Sequence, residues 1–254
     1  MKNYYIIFLL VALLFSSCVP KQQILYLQGS QNSENSSTNY EPLIQKDDLL
    51  FINISSSQAE AVAPFNLDSQ SKDISSSTSG FSNQKQTYLV DNLGNIEFPI
   101  IGTLNAAGYS INEFRDLLKL KLKDFVNDAV INIRIVNFKV TVTGEVGQPG
   151  VVSTSSQRFT LFDALAMSGD LTLYGRRDNI LIVRDFQGSK SYNRVDITKA
   201  DFVNSPFYYL DQNDLIYVEP RKAKIDGTAI GANIPFIVSI VGILLTTTLI
   251  LTTK

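Results

Sequence analysis

Hydrophobic and polar positions follow two different periods along the middle of the chain. From Ser110 the apolar positions recur every three or four residues, which is typical of a helix with one buried face. The start of this helix carries a capping box, Ser110-Ile-Asn-Glu113, whose hydroxyl and carboxylate satisfy free backbone N–H groups. The apolar positions that predict the buried face are Ile111, Phe114, Leu118, Leu122 and Phe125.

After this helix the period changes to two, which predicts strands. Alternation runs from Ile131 to Ile135 and resumes out of phase at Phe138. A bulge or a strand break would explain the slip, and we place a domain boundary there. Further strands are expected at 49–54, 179–184 and 214–218.

Turn residues and a second helix complete the predicted body. A strand pair is expected over 87–102, turned at 92–94. Pro149-Gly150 suits the central positions of a type II turn, in which Gly accepts a positive φ. A second capping box, Thr160-Leu-Phe-Asp163, begins a short helix that ends near Gly169. The fold class is therefore α+β, with two small mixed domains at 45–137 and 138–220.

Two stretches of the chain lack periodicity. Residues 18–44 are polar and predict a tether that lifts the folded body off a membrane. Residues 68–85 are rich in Ser, Gln and Asn. They bury too little apolar area to offset the entropy of ordering, so we expect a mobile loop.

Residues 1–17 have the pattern of an export signal. Lys2 is followed by an apolar stretch from Tyr4 to Phe15 and then by Ser16-Ser17. Cys18 comes next, an order typical of a bacterial lipoprotein signal, in which the cysteine is acylated and becomes the first mature residue. The alternative is an uncleaved membrane anchor that ends in a cysteine.

A second apolar block, residues 229–251, predicts a C-terminal transmembrane helix, because it is long enough to cross a bilayer. At 100° per residue its small and hydroxyl side chains share one stripe. Such a stripe lets helices approach closely in lipid, and its hydroxyls could line a polar lumen. Its members are Gly231, Pro235, Ser239, Gly242 and Thr246. The alternative is a single anchoring span with incidental small residues.

Composition excludes several classes of protein. The formal net charge of -2 gives no basic field for nucleic acid, so no nucleic-acid partner is expected. The chain has no histidine and its only cysteine is Cys18, which leaves no disulfide, no His/Cys metal site and no Ser-His-Asp or Cys-His nucleophile. We predict that the protein is not an enzyme and needs neither metal nor cofactor.

Both domains contain short motifs typical of a known family. In the first domain, Asp48 introduces an apolar strand, and Gly94-x-Ile96-x-x-Pro99-x-x-Gly102 follows. This order resembles the outer-membrane polysaccharide export proteins of the Wza type, which usually have Gly-Asp where this chain has Asp47-Asp48. The second domain resembles the soluble-ligand-binding β-grasp module. For each matching position we expect a structural role: Asp48, Gly94, Pro99, Gly102, Gly144, Pro149, Gly150 and Asp214.

This resemblance implies a function for an assembly. About eight subunits would form a ring whose stacked periplasmic domains enclose a cavity, and the terminal helices would form a barrel across the outer membrane. A capsular polysaccharide or exopolysaccharide would pass through this channel. A chain-length regulator or tyrosine autokinase of the inner membrane would dock on the periplasmic mouth.

Two other functions stay open at this point. One is a periplasmic lipoprotein that binds a soluble oligosaccharide through the β-grasp domain and needs no second membrane element. The other is a structural envelope scaffold held in the inner membrane by its C-terminus. Charge placement argues against the scaffold, because Arg221, Lys222 and Lys224 precede the span and only Lys254 follows it.

We expect Cys18 to be acylated, since the residues before it have the order of a lipoprotein signal. Growth with a labelled fatty acid should mark the wild-type protein and leave Cys18→Ser unlabelled. A labelled Cys18→Ser protein, or a mature protein that still begins at Met1, would contradict this prediction.

Overall fold

The computed structural model describes residues 21–29, 40–66, 87–186, 188–222 and 224, together with helical positions between 236 and 247. Those C-terminal positions are 236, 238–240, 242–243 and 246–247. Three predicted site residues, Cys18, Gly231 and Pro235, lie outside the described residues, as does the predicted mobile loop at 68–85.

The first domain is built on a three-stranded antiparallel sheet in which β1 lies between β2 and β5. A separate hairpin, β3–β4, extends the domain. Two helices belong to it, α1 (Ala59–Val62) and the longer α2 (Ile111–Leu122), which packs against β5. The strands are β1 (Leu49–Ser55), β2 (Tyr88–Leu89), β3 (Asn95–Phe98), β4 (Gly102–Asn105) and β5 (Val130–Ile135).

Helix α2 forms where the sequence predicts it. Both arms of the capping box are present, because the Ser110 hydroxyl accepts from the Glu113 amide and the Glu113 carboxylate accepts from the Ser110 amide. Four of the five predicted apolar positions are buried: Ile111, Phe114, Leu118 and Leu122. The prediction for Phe125 is wrong. It lies beyond the end of the helix and is 56% exposed, with only its ring edge near Phe65.

The second domain is a five-stranded sheet in the order β7-β6-β10-β8-β9. Its central pair, β6 and β10, is parallel, and the other neighbours are antiparallel. Helix α3 (Leu161–Met167) starts at the predicted Thr160–Asp163 capping box and packs against β6. The strands are β6 (Lys139–Gly144), β7 (Gly150–Ser153), β8 (Gly175–Phe186), β9 (Ser189–Val195) and β10 (Leu215–Pro220). The predicted α+β architecture of two mixed domains is confirmed.

The structure revises two predicted turns. Gly150 does not accept a positive φ: it begins β7 and pairs with Val142 of β6, so the predicted type II turn is wrong. The turn at 92–94 is present but leads into β3, and a second turn at 99–101 joins β3 to β4. In both cases the pairing between strands determines where the turn lies, and turn-forming residues in the sequence do not reveal that pairing.

The described parts of the predicted tether pack on the folded body. The Leu27 amide donates to the Ile197 carbonyl at 3.1 Å, and the Gln28 carbonyl accepts from Ala200. Further along, Ile44 is buried and exchanges backbone hydrogen bonds with the loop before α2. Residues 21–29 and 40–44 are therefore part of the fold, because backbone hydrogen bonds hold segments whose side chains show no periodicity.

The described residues contain no helix that is both long and apolar enough to span a membrane. The described positions between 236 and 247 are nonetheless helical and expose large apolar side chains. Phe236 is 70% exposed and Ile243 is 62% exposed.

Gly144 occupies the tightest glycine position of the second sheet. Its φ is +94°, and an added Cβ would lie 2.1 Å from the carbonyl oxygen of Val218 on the parallel strand β10. We expect Gly144→Ala to lower the free energy of unfolding by about 3 kcal/mol or more, since it combines strain with a backbone clash. Chemical denaturation followed by tyrosine fluorescence measures this directly, as the chain has 11 Tyr and no Trp.

Gly150→Ala is the matched control, because an added Cβ there meets no atom of the described residues within 4 Å. Its unfolding free energy should change by less than about 1 kcal/mol. Equal destabilisation by the two substitutions would contradict the assignment of Gly144 to a close backbone approach.

Candidate functional site at the joint between the two sheets

The two family-motif aspartates close the same kind of turn in the two domains. Asp48 Oδ2 accepts from the Gln45 amide at 2.8 Å, and Asp214 Oδ2 accepts from the Asp211 amide at 2.9 Å. In each turn the backbone amide of the aspartate also donates to the backbone carbonyl of the residue three positions earlier, which is Gln45 for Asp48 and Asp211 for Asp214. A strand follows immediately, β1 after the first turn and β10 after the second. We call 45–48 and 211–214 the twin turns.

The residue before each aspartate explains the departure from the Gly-Asp pattern. Asp47 has φ 67° and Asn213 has φ 64°, both in the left-handed region. Glycine reaches this region without strain, and Asp and Asn are the side chains that tolerate it best. Asp47 therefore keeps the turn that Gly would make.

Two side-chain amides connect the twin turns. Asn137, in the break between β5 and β6, accepts from the Leu49 amide and donates to the Asp47 carbonyl, both at 2.9 Å. Gln212 donates to the Asn137 carbonyl at 3.1 Å and accepts from the Lys139 amide at 2.8 Å. We call this set of four hydrogen bonds the amide bridge. It ties the start of β1 to the start of β6 and to the turn before β10.

Asp48 is fully buried beside the amide bridge. Its Oδ1 makes no hydrogen bond with the described residues, so half of the carboxylate is without a partner. Burial disfavours the charged form of the Asp48 carboxyl and raises its pKa to about 6. The hydrogen bond from the Gln45 amide and the nearby Gln212 side chain lower the pKa, but by less than burial raises it.

Asp214 is equally buried but has a cationic partner on β8. Arg184 holds it with two parallel hydrogen bonds, Nε to Oδ1 at 3.0 Å and Nη2 to Oδ2 at 2.7 Å. Arg184 Nη1 also lies 2.9 Å from Asp211, whose other oxygen accepts from the Tyr40 hydroxyl at 2.6 Å. The paired charges and their hydrogen bonds offset the cost of burial, and removing one partner would leave an unpaired buried charge.

The remaining family-motif residues serve the backbone. Gly94, at φ +88°, approaches Ala107 so closely that an added Cβ would lie 2.8 Å from its Cβ. The Pro99 carbonyl accepts a hydrogen bond from the Ile101 amide in the turn between β3 and β4. Gly102 follows this turn and has φ +86°. Pro149 precedes β7.

A polar cleft of ≈ 770 Å³ opens beside the twin turns. Asp47 and Asn213 line it together with Lys46, Asn105 and the β8–β9 hairpin residue Asp185. Among the described residues, no group of three or more acidic, histidine or cysteine side chains is placed to hold a metal ion. The arrangement supplies hydrogen-bonding groups and a fixed angle between the two sheets.

Sequence reasoning found the two aspartates but missed the side chains that connect them. Asn137, Gln212, Arg184 and Tyr40 carry no local motif. For Asn137 a signal existed, because it lies in the phase slip between Ile135 and Phe138. The ion pair of Arg184 joins residues 30 positions apart, a separation that no periodicity reports.

Comparison with known proteins agrees with this geometry. Residues 36–136 match the family model described as polysaccharide biosynthesis/export protein, and residues 139–194 match the SLBB domain. The junction between the two matches coincides with the amide bridge. The first domain is therefore similar to the polysaccharide biosynthesis/export protein family, and part of the second domain is similar to the SLBB domain.

Two curated relatives carry the same description, EPS I polysaccharide export outer membrane protein EpsA. The protein of Ralstonia solanacearum is 27% identical over 139 residues, and that of Ralstonia nicotianae is 30% identical over 140 residues. Each alignment covers 53% of this chain and 36% of the relative. The chain thus spans about a third of the length of the relatives that it matches.

We expect the stability contribution of Asp48 to depend on pH. The folded-state pKa of about 6 lies above the ordinary 3.8, so the folded state binds the proton more tightly. The free energy of unfolding should therefore rise as pH falls from 7 to 4, by on the order of 3 kcal/mol relative to Asp48→Asn, which lacks the titrating group. Denaturation curves at pH 7, 6, 5 and 4 give this difference.

Asp201→Asn provides the control, because it removes an exposed carboxylate instead of a buried one. If wild type and Asp48→Asn changed in parallel across this range, the raised pKa would be refuted.

Proposed function

We propose that this protein is the outer-membrane subunit of an oligomeric channel that exports capsular polysaccharide or exopolysaccharide to the cell surface. Lipid on Cys18 and a C-terminal helix at 229–251 would hold it in the outer membrane, with the two domains in the periplasm. The family match, and the outer-membrane export proteins among its relatives, support this proposal.

The exposed apolar face of the C-terminal positions carries the oligomeric part of the proposal. Phe236, Val238 and Ile243 are each more than 60% exposed in the single chain. Apolar side chains at this exposure call for a lipid or protein neighbour. Neighbouring copies of the same helix and the acyl chains of the outer membrane would supply both.

The described members of the small-residue stripe fit helix packing. Ser239, Gly242 and Thr246 are helical and exposed, and an added Cβ at Gly242 meets no atom of the described residues within 4 Å. The Thr246 hydroxyl donates to the Gly242 carbonyl at 2.9 Å, which satisfies it without water. Such a face lets helices approach closely in lipid.

By family resemblance, the ring would hold about eight subunits and would dock on an inner-membrane chain-length regulator or tyrosine autokinase. The rigid joint between the two domains suits this role. Stacked rings need a fixed angle between domains, and the hydrogen bonds of the amide bridge would help to hold it.

A second candidate is a periplasmic lipoprotein that binds a soluble oligosaccharide. The polar cleft beside the twin turns favours it, since amide and carboxylate groups suit sugar hydroxyls. This function would need neither the C-terminal helix nor an oligomer. Deletion of that helix therefore distinguishes the two proposals.

Deletion of residues 229–254 should abolish surface polysaccharide while leaving a folded, lipidated protein in the outer membrane. The reason is that the pore would be lost and the lipid anchor kept. Surface polymer is measured on intact cells with a polymer-specific antibody or stain, and location by membrane fractionation. Normal surface polymer in the deletion strain would contradict export through this helix and favour the binding lipoprotein.

Gly242→Leu should weaken the oligomer and reduce surface polymer, with Gly242→Ala as the matched control. A Cβ at this position meets no atom of the described residues within 4 Å, so a neighbouring helix is where a larger side chain would be felt. Cross-linking followed by gel electrophoresis reports the oligomer. Intact oligomers in both variants would argue against packing on this stripe.

A further inference from the structure

A cationic groove lies between the first sheet and the loop that follows β7. Its volume is ≈ 490 Å³, and its lining contains three arginines and no carboxylate. The arginines come from different elements: Arg115 from α2, Arg134 from β5 and Arg158 from the loop. Asn132, Ser155, Ser156 and Gln157 complete its polar lining, and we call it the arginine groove.

The arginines of this groove differ from three arginines of the second domain that form ion pairs. Arg176, Arg184 and Arg194 each lie within 3.3 Å of a carboxylate oxygen. No described carboxylate lies within 4.0 Å of the groove arginines, although the chain as a whole is net negative. Three guanidinium groups of one sign in a shared concavity raise the local concentration of anions.

Two of these guanidinium groups are held in place by neutral partners. Arg115 Nη1 donates to Asn112 Oδ1 at 2.6 Å, and Asn112 in turn donates to Glu41 at 2.7 Å. The Arg158 guanidinium lies 4.9 Å from the ring centre of Tyr209. A guanidinium oriented in this way loses little side-chain entropy when it binds a carboxylate.

The groove follows the free edge of the first sheet. β5 is an edge strand, and its Ile133 carbonyl accepts from Gln157 Nε2 at 3.2 Å. This hydrogen bond covers part of the edge with a polar side chain, which protects it from pairing with another strand. The groove therefore presents amide, hydroxyl and guanidinium groups along an elongated path.

An adjoining hollow of ≈ 210 Å³ extends this path toward an aromatic pair. Gln157 and Arg158 line both concavities, and Tyr40 lines the second together with Glu41, whose carboxylate accepts from Asn112. The Tyr40 ring is stacked on Tyr209 at 4.7 Å. Hydroxyl-binding groups and guanidiniums beside half-buried aromatic rings suit a chain of polar rings that carries negative charge.

We propose that the arginine groove binds acidic saccharide units, with the carboxylates of uronic acid residues on Arg115, Arg134 and Arg158. This inference rests on the proposed export function and adds the chemical class of the substrate. Carboxylates pair with guanidinium through two parallel hydrogen bonds, and the Asn, Ser and Gln groups would receive the sugar hydroxyls. An acidic protein segment fits less well, because the only apolar residue in the lining, Ile133, is buried and offers no anchoring pocket.

The test uses the full chain purified in detergent and a fluorescently labelled oligogalacturonate. We expect saturable binding that weakens as salt rises, and no binding of a neutral dextran oligomer of the same length. Arg134→Gln and Arg158→Gln should each raise Kd by about fivefold. Lys190→Gln, which removes an exposed positive charge on β9, should leave Kd within about twofold.

Three results would overturn the proposal. The first is equal binding of dextran and oligogalacturonate, and the second is a Kd that groove substitutions do not change. The third is tighter binding of oligoglutamate than of oligogalacturonate through the same arginines, which would assign the groove to an acidic protein segment. Unchanged denaturation curves show that the variants are folded.

The export function is tested independently of the groove. If deletion of residues 229–254 leaves surface polymer unchanged, the channel proposal is wrong. Binding of oligogalacturonate by the full chain still tests the groove directly.

Discussion

The amide bridge made by Asn137 and Gln212 fixes how the two sheets lie against each other. Each of its four hydrogen bonds joins a side chain of one segment to the backbone of another, so β1, β6 and the turn before β10 have one relative position. Buried backbone groups need such partners, and losing one leaves a desolvated donor or acceptor that costs about 1–3 kcal/mol. The strand break between β5 and β6 leaves the Asn137 carbonyl and the Lys139 amide without ladder partners, and Gln212 binds both. The twin turns place their aspartates beside it.

The two aspartates have the same local geometry but opposite environments. Asp214 meets the guanidinium of Arg184 and forms part of a charged cluster that also holds Asp211 and, through it, Tyr40. Asp48 has no cationic partner among the described residues and carries a raised pKa. In the second domain, Arg184 therefore compensates the buried charge of Asp214. On the side of the first domain, Asp48 is a buried carboxyl whose pKa is raised to about 6.

Two N-terminal segments pack on the second domain. Residues 21–29 add backbone hydrogen bonds beside Ile197, and the Tyr26 hydroxyl reaches Asp170 at 2.6 Å. Tyr40 brings the next segment onto the 211–214 turn. The arginine groove opens between α2, the edge of β5 and the loop after β7. A binding surface made from both domains can keep its shape only if their relative position is fixed, which connects the groove to the amide bridge.

The sequence pattern predicts correctly those parts of the fold in which the residue types are set by a single helix or strand. The period of α2, both capping boxes and the alternation along β5 follow from burial of one face and from free backbone groups at helix ends. The wrong predictions have a different origin. Phe125 keeps the helical period after the helix has ended, and Gly150 has a turn signal but pairs in β7. The partners of Asp48 and Asp214, the packing of residues 21–29 and the gathering of Arg115, Arg134 and Arg158 depend on contacts between distant segments. Such contacts leave no period in the sequence, and only the tertiary structure decides them.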